Sequence, residues 1–258
     1  MKFKLVFLLL LILITLSNYN IHSQSINENQ DKISRAGITK CTISKSYYKF
    51  GEADTKKEEI KSISYVNGYK SLEFFPTGKI RDYEYDGTTL TQITVSYYDE
   101  WNREHSETHK FEYDNNGNAI KELVYSNNGD LLYKIEYSYF NSGTIESSKI
   151  IEKDGQLSKI EAFGYTYYSG QRLIYIKSIY HFEDENSYKS NHSSSIENIV
   201  YLYDNDKLVK EEQHYFSKDL SSKCTKIKIS YNSDELVSKK IYYDLNGEPE
   251  YEETYEYK

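Results

Sequence analysis

Proline occurs only twice in this chain, and methionine and tryptophan once each. A chain so poor in proline has little to interrupt paired strands, because proline is the residue that removes a ladder donor. No long segment has the apolar spacing of an amphipathic helix, so a helical architecture is not expected. There is no nucleophile-elbow sequence and no glycine-rich loop that could cradle phosphate, which removes two legible catalytic signatures. Apolar content is thin, with 38% hydrophobic residues, 28% charged residues and a mean hydropathy of -0.75. The longest apolar stretch, Leu5 to Leu16, is twelve residues and falls short of the roughly 20 that cross a bilayer as a helix.

That stretch follows Lys2 and Lys4 and precedes small and polar residues. It has the form of a secretory signal peptide over residues 1–23, cleaved near Ser23, with a mature start expected between Ser17 and Ser25. No cysteine lies in or just after it, so a lipid anchor lacks its acceptor. The protein is expected to be secreted or periplasmic. Without Lys2 and Lys4 the chain keeps 30 basic and 40 acidic residues, a net charge of -10. This acidity opposes binding to phosphate backbones and anionic membranes, so no nucleic-acid partner is expected.

Tyrosine is what the chain has in abundance: 29, with 10 phenylalanines. Tyrosines favour strands, and their ring faces can be buried while the hydroxyls stay hydrogen-bonded. They recur in register. Tyr83-Glu84-Tyr85-Asp86, Phe111-Glu112-Tyr113-Asp114, Tyr137-Ser138-Tyr139-Phe140-Asn141 and Tyr165-Thr166-Tyr167-Tyr168-Ser169 follow at steps of 28, 27 and 28, counted to the polar residue that ends each. After a longer gap come Tyr201-Leu202-Tyr203-Asp204 and Ile229-Ser230-Tyr231-Asn232, again 28 apart. A second turn signal falls about midway through each unit, so each unit reads as a hairpin. Leu131, Tyr133, Ile135, Tyr137 and Tyr139 alternate with Lys134, Glu136 and Ser138 as in a half-buried strand, and Asn116-Gly117, Asn128-Gly129 and Asp154-Gly155 supply tight turns. Ile150-Ile151 and Leu173 to Ile176 are apolar on both faces, which requires cover on both sides.

On the residues Phe111-Glu112-Tyr113-Asp114-Asn115-Asn116-Gly117-Asn118-Ala119-Ile120, the chain resembles the YD-repeat, or Rhs-like, family over roughly residues 80 to 258. Phe74-Phe75-Pro76-Thr77-Gly78-Lys79-Ile80 is similar to MORN-like hairpin repeats. The resemblance implies a secreted bacterial array of β-hairpins, which in large YD proteins forms a shell around a toxin.

The expected fold is therefore all-β: a long antiparallel meander of about 15 strands forming an extended, twisted, open sheet. The organisation is a signal peptide at 1–23, a polar lead-in at 24–38 and one repeat domain at 39–258, with a polar loop insertion at 184–198. In such an open sheet Cys41 and Cys224 lie on strands far apart, and both are expected to be free thiols. A bridge between them would require the sheet to close or fold back.

Chemistry-bearing clusters are few. His105, Glu107 and His109 share a strand face, but lack a third recognisable ligand and read as a solvated pair beside a loop. Asp114, Asn116 and Asn118 open like a calcium loop, but Ala119 and Tyr125 occupy the positions that need Gly and Glu. Asp86, Asp114, Asp204 and Asp244 recur as turn residues. Asn191-His192-Ser193 has the form of a glycan acceptor. No catalytic, metal or cofactor-binding residue is assigned, and no cofactor is expected. The expected function is a non-enzymatic, exported scaffold or interaction protein at a bacterial cell envelope. It would bind a protein or glycan through an aromatic sheet face or the 184–198 loop. The alternative is a secreted polysaccharide hydrolase or carbohydrate-binding module.

Overall fold

The computed structural model describes residues 30–49, 51–168, 173–191, 193–204, 207–217 and 223–258. The signal peptide expected at 1–23 lies outside them, as does the start of the lead-in. Strands β1 to β17 run, in order, over Lys40–Lys49, Glu52–Ala53, Glu58–Val66, Tyr69–Phe74, Ile80–Asp86, Thr89–Tyr98, Glu104–Tyr113, Ala119–Ser126, Leu131–Tyr139, Ile145–Glu152, Leu157–Tyr168, Leu173–Phe182, Ser195–Asp204, Lys207–Ser217, Lys223–Tyr231, Val237–Tyr243 and Pro249–Tyr257. The described residues also hold two short helices, α1 at 30–35 and α2 at Glu185–Lys189.

The meander order is as expected, but the open sheet is not. β17 returns to pair with β1 over seven positions, from Cys41 opposite Tyr257 to Tyr47 opposite Tyr251, while the other edge of β1 pairs with β3. The two-residue β2 flanks the end of β1, and the remaining sixteen antiparallel strands close into a barrel. The seam is tied by Lys40 N–H to the Lys258 carbonyl (3.0 Å) and Lys258 N–H to the Lys40 carbonyl (2.8 Å). Closure has two physical causes. Twist accumulates with every strand, and open sheets beyond roughly ten strands curl. Joining β1 to β17 also removes both rows of unpaired edge groups.

Closure does not bring the cysteines together. It sets the first strand beside the last, whereas Cys224 on β15 pairs in register with His214 on β14. β15 is three strands from β1, about 14 Å at ~4.8 Å per step, beyond the ~7 Å a disulfide spans. Cys41 is a free thiol, 1% exposed. Burial pushes its ionisation up to about 11.

One kind of turn accounts for Asp114 and Asp244 among the recurring acids. At Asp99, Asp114, Asn232 and Asp244 the backbone N–H bonds the carbonyl four residues on, and the residue three on donates back. One side-chain oxygen then accepts two further N–H groups, as Asp114 Oδ1 does from Asn116 and Asn118, both at 2.8 Å. Gly117, at φ +81°, supplies the left-handed residue, and the register shift between Glu112 and Tyr113 is the bulge that accompanies such turns.

The tyrosine repeat builds one end of the barrel. Tyr113, Tyr139, Tyr165, Tyr231 and Tyr257 each donate a hydroxyl to a carbonyl near the start of the preceding strand. Their acceptors are Leu90, Ala119, Ile145, Leu208 and Val237, at 2.5 to 2.9 Å. One face of every strand looks inward. On β9 this face carries Tyr133, Ile135, Tyr137 and Tyr139, with Lys134, Glu136 and Ser138 outside. The outer face is polar on strand after strand: Thr42, Ser44 and Ser46 on β1, Ser106, Thr108 and Lys110 on β7, Lys226 and Lys228 on β15. One apolar stretch of the exterior is covered. Ile160 (0% exposed) and Phe182 (2%) pair outside the barrel beneath α2, whose Tyr188 meets Phe182 edge-on. α2 opens with the capping box of Asp184 and Ser187, so the segment expected as a polar loop at 184–198 holds a helix and the first residues of β13.

Candidate ligand site in the barrel lumen

The lumen is filled along one wall and hollow along the other. From β10 to β13, Ile145, Phe163, Tyr175, Ile179, Ile199 and Tyr201 pack as a core, with Tyr165, Tyr175 and Tyr201 stacked in a ladder at 5.9 and 5.5 Å. Within this wall Lys177 lies over the Phe163 ring at 4.8 Å. Burial lowers its pKa to about 8, partly offset by Glu161 and Glu197. Glu161 pairs with Lys159 (2.6 Å) and His181 (3.2 Å). Burial pushes it upward, yet His181 and Lys159 outweigh that and hold it at about 2.

From β16 round through β17 and β1 to β8 the wall encloses a cavity of about 690 Å³, within the range of small-molecule sites. Its lining has three chemistries. Ile43, Ile63, Leu90, Ile93 and Val95 are aliphatic; Tyr65, Tyr83, Tyr85, Tyr242, Tyr255 and Tyr257 add rings; and Lys61, Lys70, Lys79, Arg81, Lys240, Glu73, Glu122 and Glu253 are ionic. Counting its lysines, arginine and carboxylates, the lining sets five cations against three carboxylates, inside a chain of net charge -8.

The centre of this lining is Glu73, 1% exposed. Register places it directly beside Ile63 on β3 and Arg81 on β5, with Val95 next on β6. Lys70 Nζ lies 2.9 Å from its carboxylate, Arg81 Nη1 3.3 Å and Lys61 Nζ 3.7 Å. Burial raises the Glu73 pKa, but the Lys70, Lys61 and Arg81 charges prevail and hold it at about 2. Burial in turn lowers Lys61, against the pull of Glu73. Lys79 is lowered by burial and by repulsion from Arg81.

The two histidines lie apart in environment. His105 stacks on Tyr97 and bonds Asp99 at 3.1 Å. His109 is not solvated as expected: at 3% exposure it lines the cavity, its Nδ1 2.6 Å from Glu122. Glu122, fully buried, also accepts from Tyr137. No group of three metal-ligating side chains occurs among the described residues. Each lumen carboxylate named is engaged: Glu73 by three cations, Glu122 by His109 and Tyr137, Glu253 by Tyr242 and Tyr255. Lys61, Lys70, Glu73 and Arg81 are residues that sequence reasoning passed over. Their signal was parity: Lys61 shares the face of Ile63 and Tyr65, and Arg81 that of Tyr83 and Tyr85, so each is a charge in an inward register.

One mouth is stoppered by α1. Ile33, 7% exposed, reaches the cavity with Gln30, and Lys32 pairs with Glu235 at 3.1 Å. Gly68, at φ +83° in the β3–β4 turn, lets the helix lie against it; a Cβ there would come within 2.4 Å of the Gln30 carbonyl. Lys70, two residues on, is 44% exposed along its side chain and reaches both solvent and Glu73.

No protein-family profile matches the chain, and a search of curated proteins finds no match. Solved structures with some likeness include a porin-like protein from Bacteroides uniformis ATCC 8492, at 11% identity over 86% of this chain and 96% of that one, TM-score 0.47. Another is a porin-like protein from Bacteroides vulgatus ATCC 8482, at 12% identity over 86% and 98%, TM-score 0.33. A TcdB2-TccC3-TEV structure is 10% identical over 75% of this chain but only 13% of its own length, TM-score 0.28. At these scores and identities none of them assigns a family or a function. The tandem of hairpins that the YD-repeat resemblance implies is present, and no family profile assigns the chain to that family.

Proposed function

We propose that this is an exported, non-enzymatic, water-soluble barrel that holds a small molecule in its lumen. The observation that carries this reading is the 690 Å³ cavity, lined jointly by aliphatic, tyrosine and ionic side chains inside a closed wall. Export rests on the leader pattern of residues 1–23. Solubility rests on the outer face, where lysines and glutamates such as Lys110, Glu112, Lys134 and Glu136 stand at positions that lipid would meet. On a lipid-facing strand a mid-membrane lysine costs about 2–4 kcal/mol. No helix among the described residues is long and apolar enough to cross a membrane, which by itself says nothing about strands. The non-enzymatic part rests on the engaged carboxylates, none of which is left as an unpartnered acid or base facing another. The tyrosine rows face the lumen, so an aromatic sheet face is not offered to a macromolecule.

A second reading keeps a glycan or protein partner on the exterior. Its support is the exposed set Tyr47, Tyr98, Trp101 and Leu245 at the end of the barrel away from α1. The first reading is tested by sedimentation of the mature protein without detergent, followed by a thermal-shift screen of neutral, cationic and anionic amphiphiles. A monodisperse soluble species stabilised by some member of the screen is expected. Recovery only in detergent, or no stabilisation by any compound, would refute it.

A further inference from the structure

We infer that the lumen cavity takes an organic anion with an apolar body, its head against Lys61, Lys70 and Arg81 and its body against Ile63, Ile93 and Val95. This rests on reading the lumen as a ligand site and names the chemistry of the occupant.

Three observations converge. The first is charge: three cations surround one carboxylate at Glu73, Lys79 and Lys240 add two more, and even with Glu107, which acts on Lys79, counted beside Glu73, Glu122 and Glu253, five cations face four carboxylates. Desolvated like charges repel strongly, and an anion among them is favoured. The second is position. Cross-strand register brackets the Glu73–Arg81 pair with Ile63 on one side and Val95 on the other, so a head group held there has aliphatic wall beside it. Free phosphate or a sugar phosphate would leave that wall without apolar contact, and a neutral lipid would leave the cations unmatched. The third is access. Lys70 spans from solvent to Glu73 beside the β3–β4 turn, a cationic lead from the mouth to the buried cluster.

The test uses two fluorescent probes that differ in one group, 8-anilinonaphthalene-1-sulfonate and the uncharged N-phenyl-1-naphthylamine. The full mature chain should bind the sulfonate at one site, about tenfold more tightly than the neutral probe, the scale of one good charge-assisted contact. Dodecanoate should displace it and dodecanol should not. Lys70→Gln, at a half-exposed position, should weaken the sulfonate several-fold and leave the neutral probe unchanged. Glu73→Gln should act in the opposite direction, because it removes the competing carboxylate. Should Glu73→Gln fail to fold by circular dichroism, Lys70→Gln decides alone. Equal binding of the two probes, or no response to Lys70→Gln, overturns the anion while leaving a lumen ligand standing. Failure of both probes and of every amphiphile in the thermal-shift screen overturns the lumen reading as well.

Discussion

A tyrosine hydroxyl that reaches back one strand is the smallest unit from which this barrel is built. Tyr139 donates to the Ala119 carbonyl at 2.7 Å across the β8–β9 pair, and Tyr113, Tyr165, Tyr231 and Tyr257 repeat the contact elsewhere around the ring. Burying a ring without satisfying its hydroxyl would waste much of the gain, so the repeat selects tyrosine over phenylalanine at these positions. Tyr139→Phe is expected to cost about 1 kcal/mol, lowering the melting temperature by about 2–4 °C for a domain of this size. Calorimetry on the pair of proteins checks it; an unchanged melting temperature would show that the hydroxyl is dispensable. The spacing of these tyrosines was legible in the sequence. Their acceptors were not, because a carbonyl carries no side-chain signature and only register reveals which one lies opposite. The same limit hid Glu122 from His109, thirteen residues away but adjacent across the β7–β8 ladder.

Among the elements, turns were the easiest to read and helices the hardest. Asp114, Asn116 and Gly117 announce their turn through local hydrogen-bonding chemistry that needs no tertiary partner. α1 spans residues 30–35, too short to show a helical period, and carries a single buried side chain, Ile33. It is helical because the barrel mouth gives Ile33 an apolar seat and Glu235 gives Lys32 a partner, in line with short helices owing their stability to packing. Ile33→Asp should unseat the helix while leaving the strands paired. Stopped-flow mixing with the sulfonate probe is expected to show faster association and faster dissociation, with far-UV circular dichroism nearly unchanged. Identical rates in the two proteins would mean that ligands pass by another route.

At the scale of the whole molecule, the interior sets the pH range in which the barrel stands. Glu73 and Glu161 are held at about 2, below the ordinary value of 4.5. Their contribution is present above 4.5 and is lost as pH falls from there toward 2. At the other limit, burial raises the phenols of Tyr65, Tyr83, Tyr133, Tyr201 and Tyr255 above the ordinary 10. The unfolded chain releases those protons first, so stability falls as pH climbs beyond about 10. Urea midpoints across pH should form a plateau that declines below 4.5 and above 10, and the share of phenolate absorbance that belongs to the buried tyrosines should rise only with unfolding. Complete phenolate absorbance while the protein is still folded would place those tyrosines in contact with solvent. The one global feature that the repeat concealed is closure. Every unit reads alike, so nothing within a unit tells the first strand that its neighbour is the last.

The seam between β1 and β17 is also a matter of timing. Every other pair in the ring joins strands next to each other along the chain, or separated only by the short segment that carries β2, and can zip as a hairpin on the microsecond scale. The seam joins Cys41 to Tyr257, 216 positions apart, and contacts of such long range form late. During synthesis β1 is made first and β17 last, so the nascent chain passes through a stage in which the meander is paired but β1 keeps an unoccupied edge. The length of that stage, rather than any property of the finished ring, sets how long one chain is open to strand exchange with another.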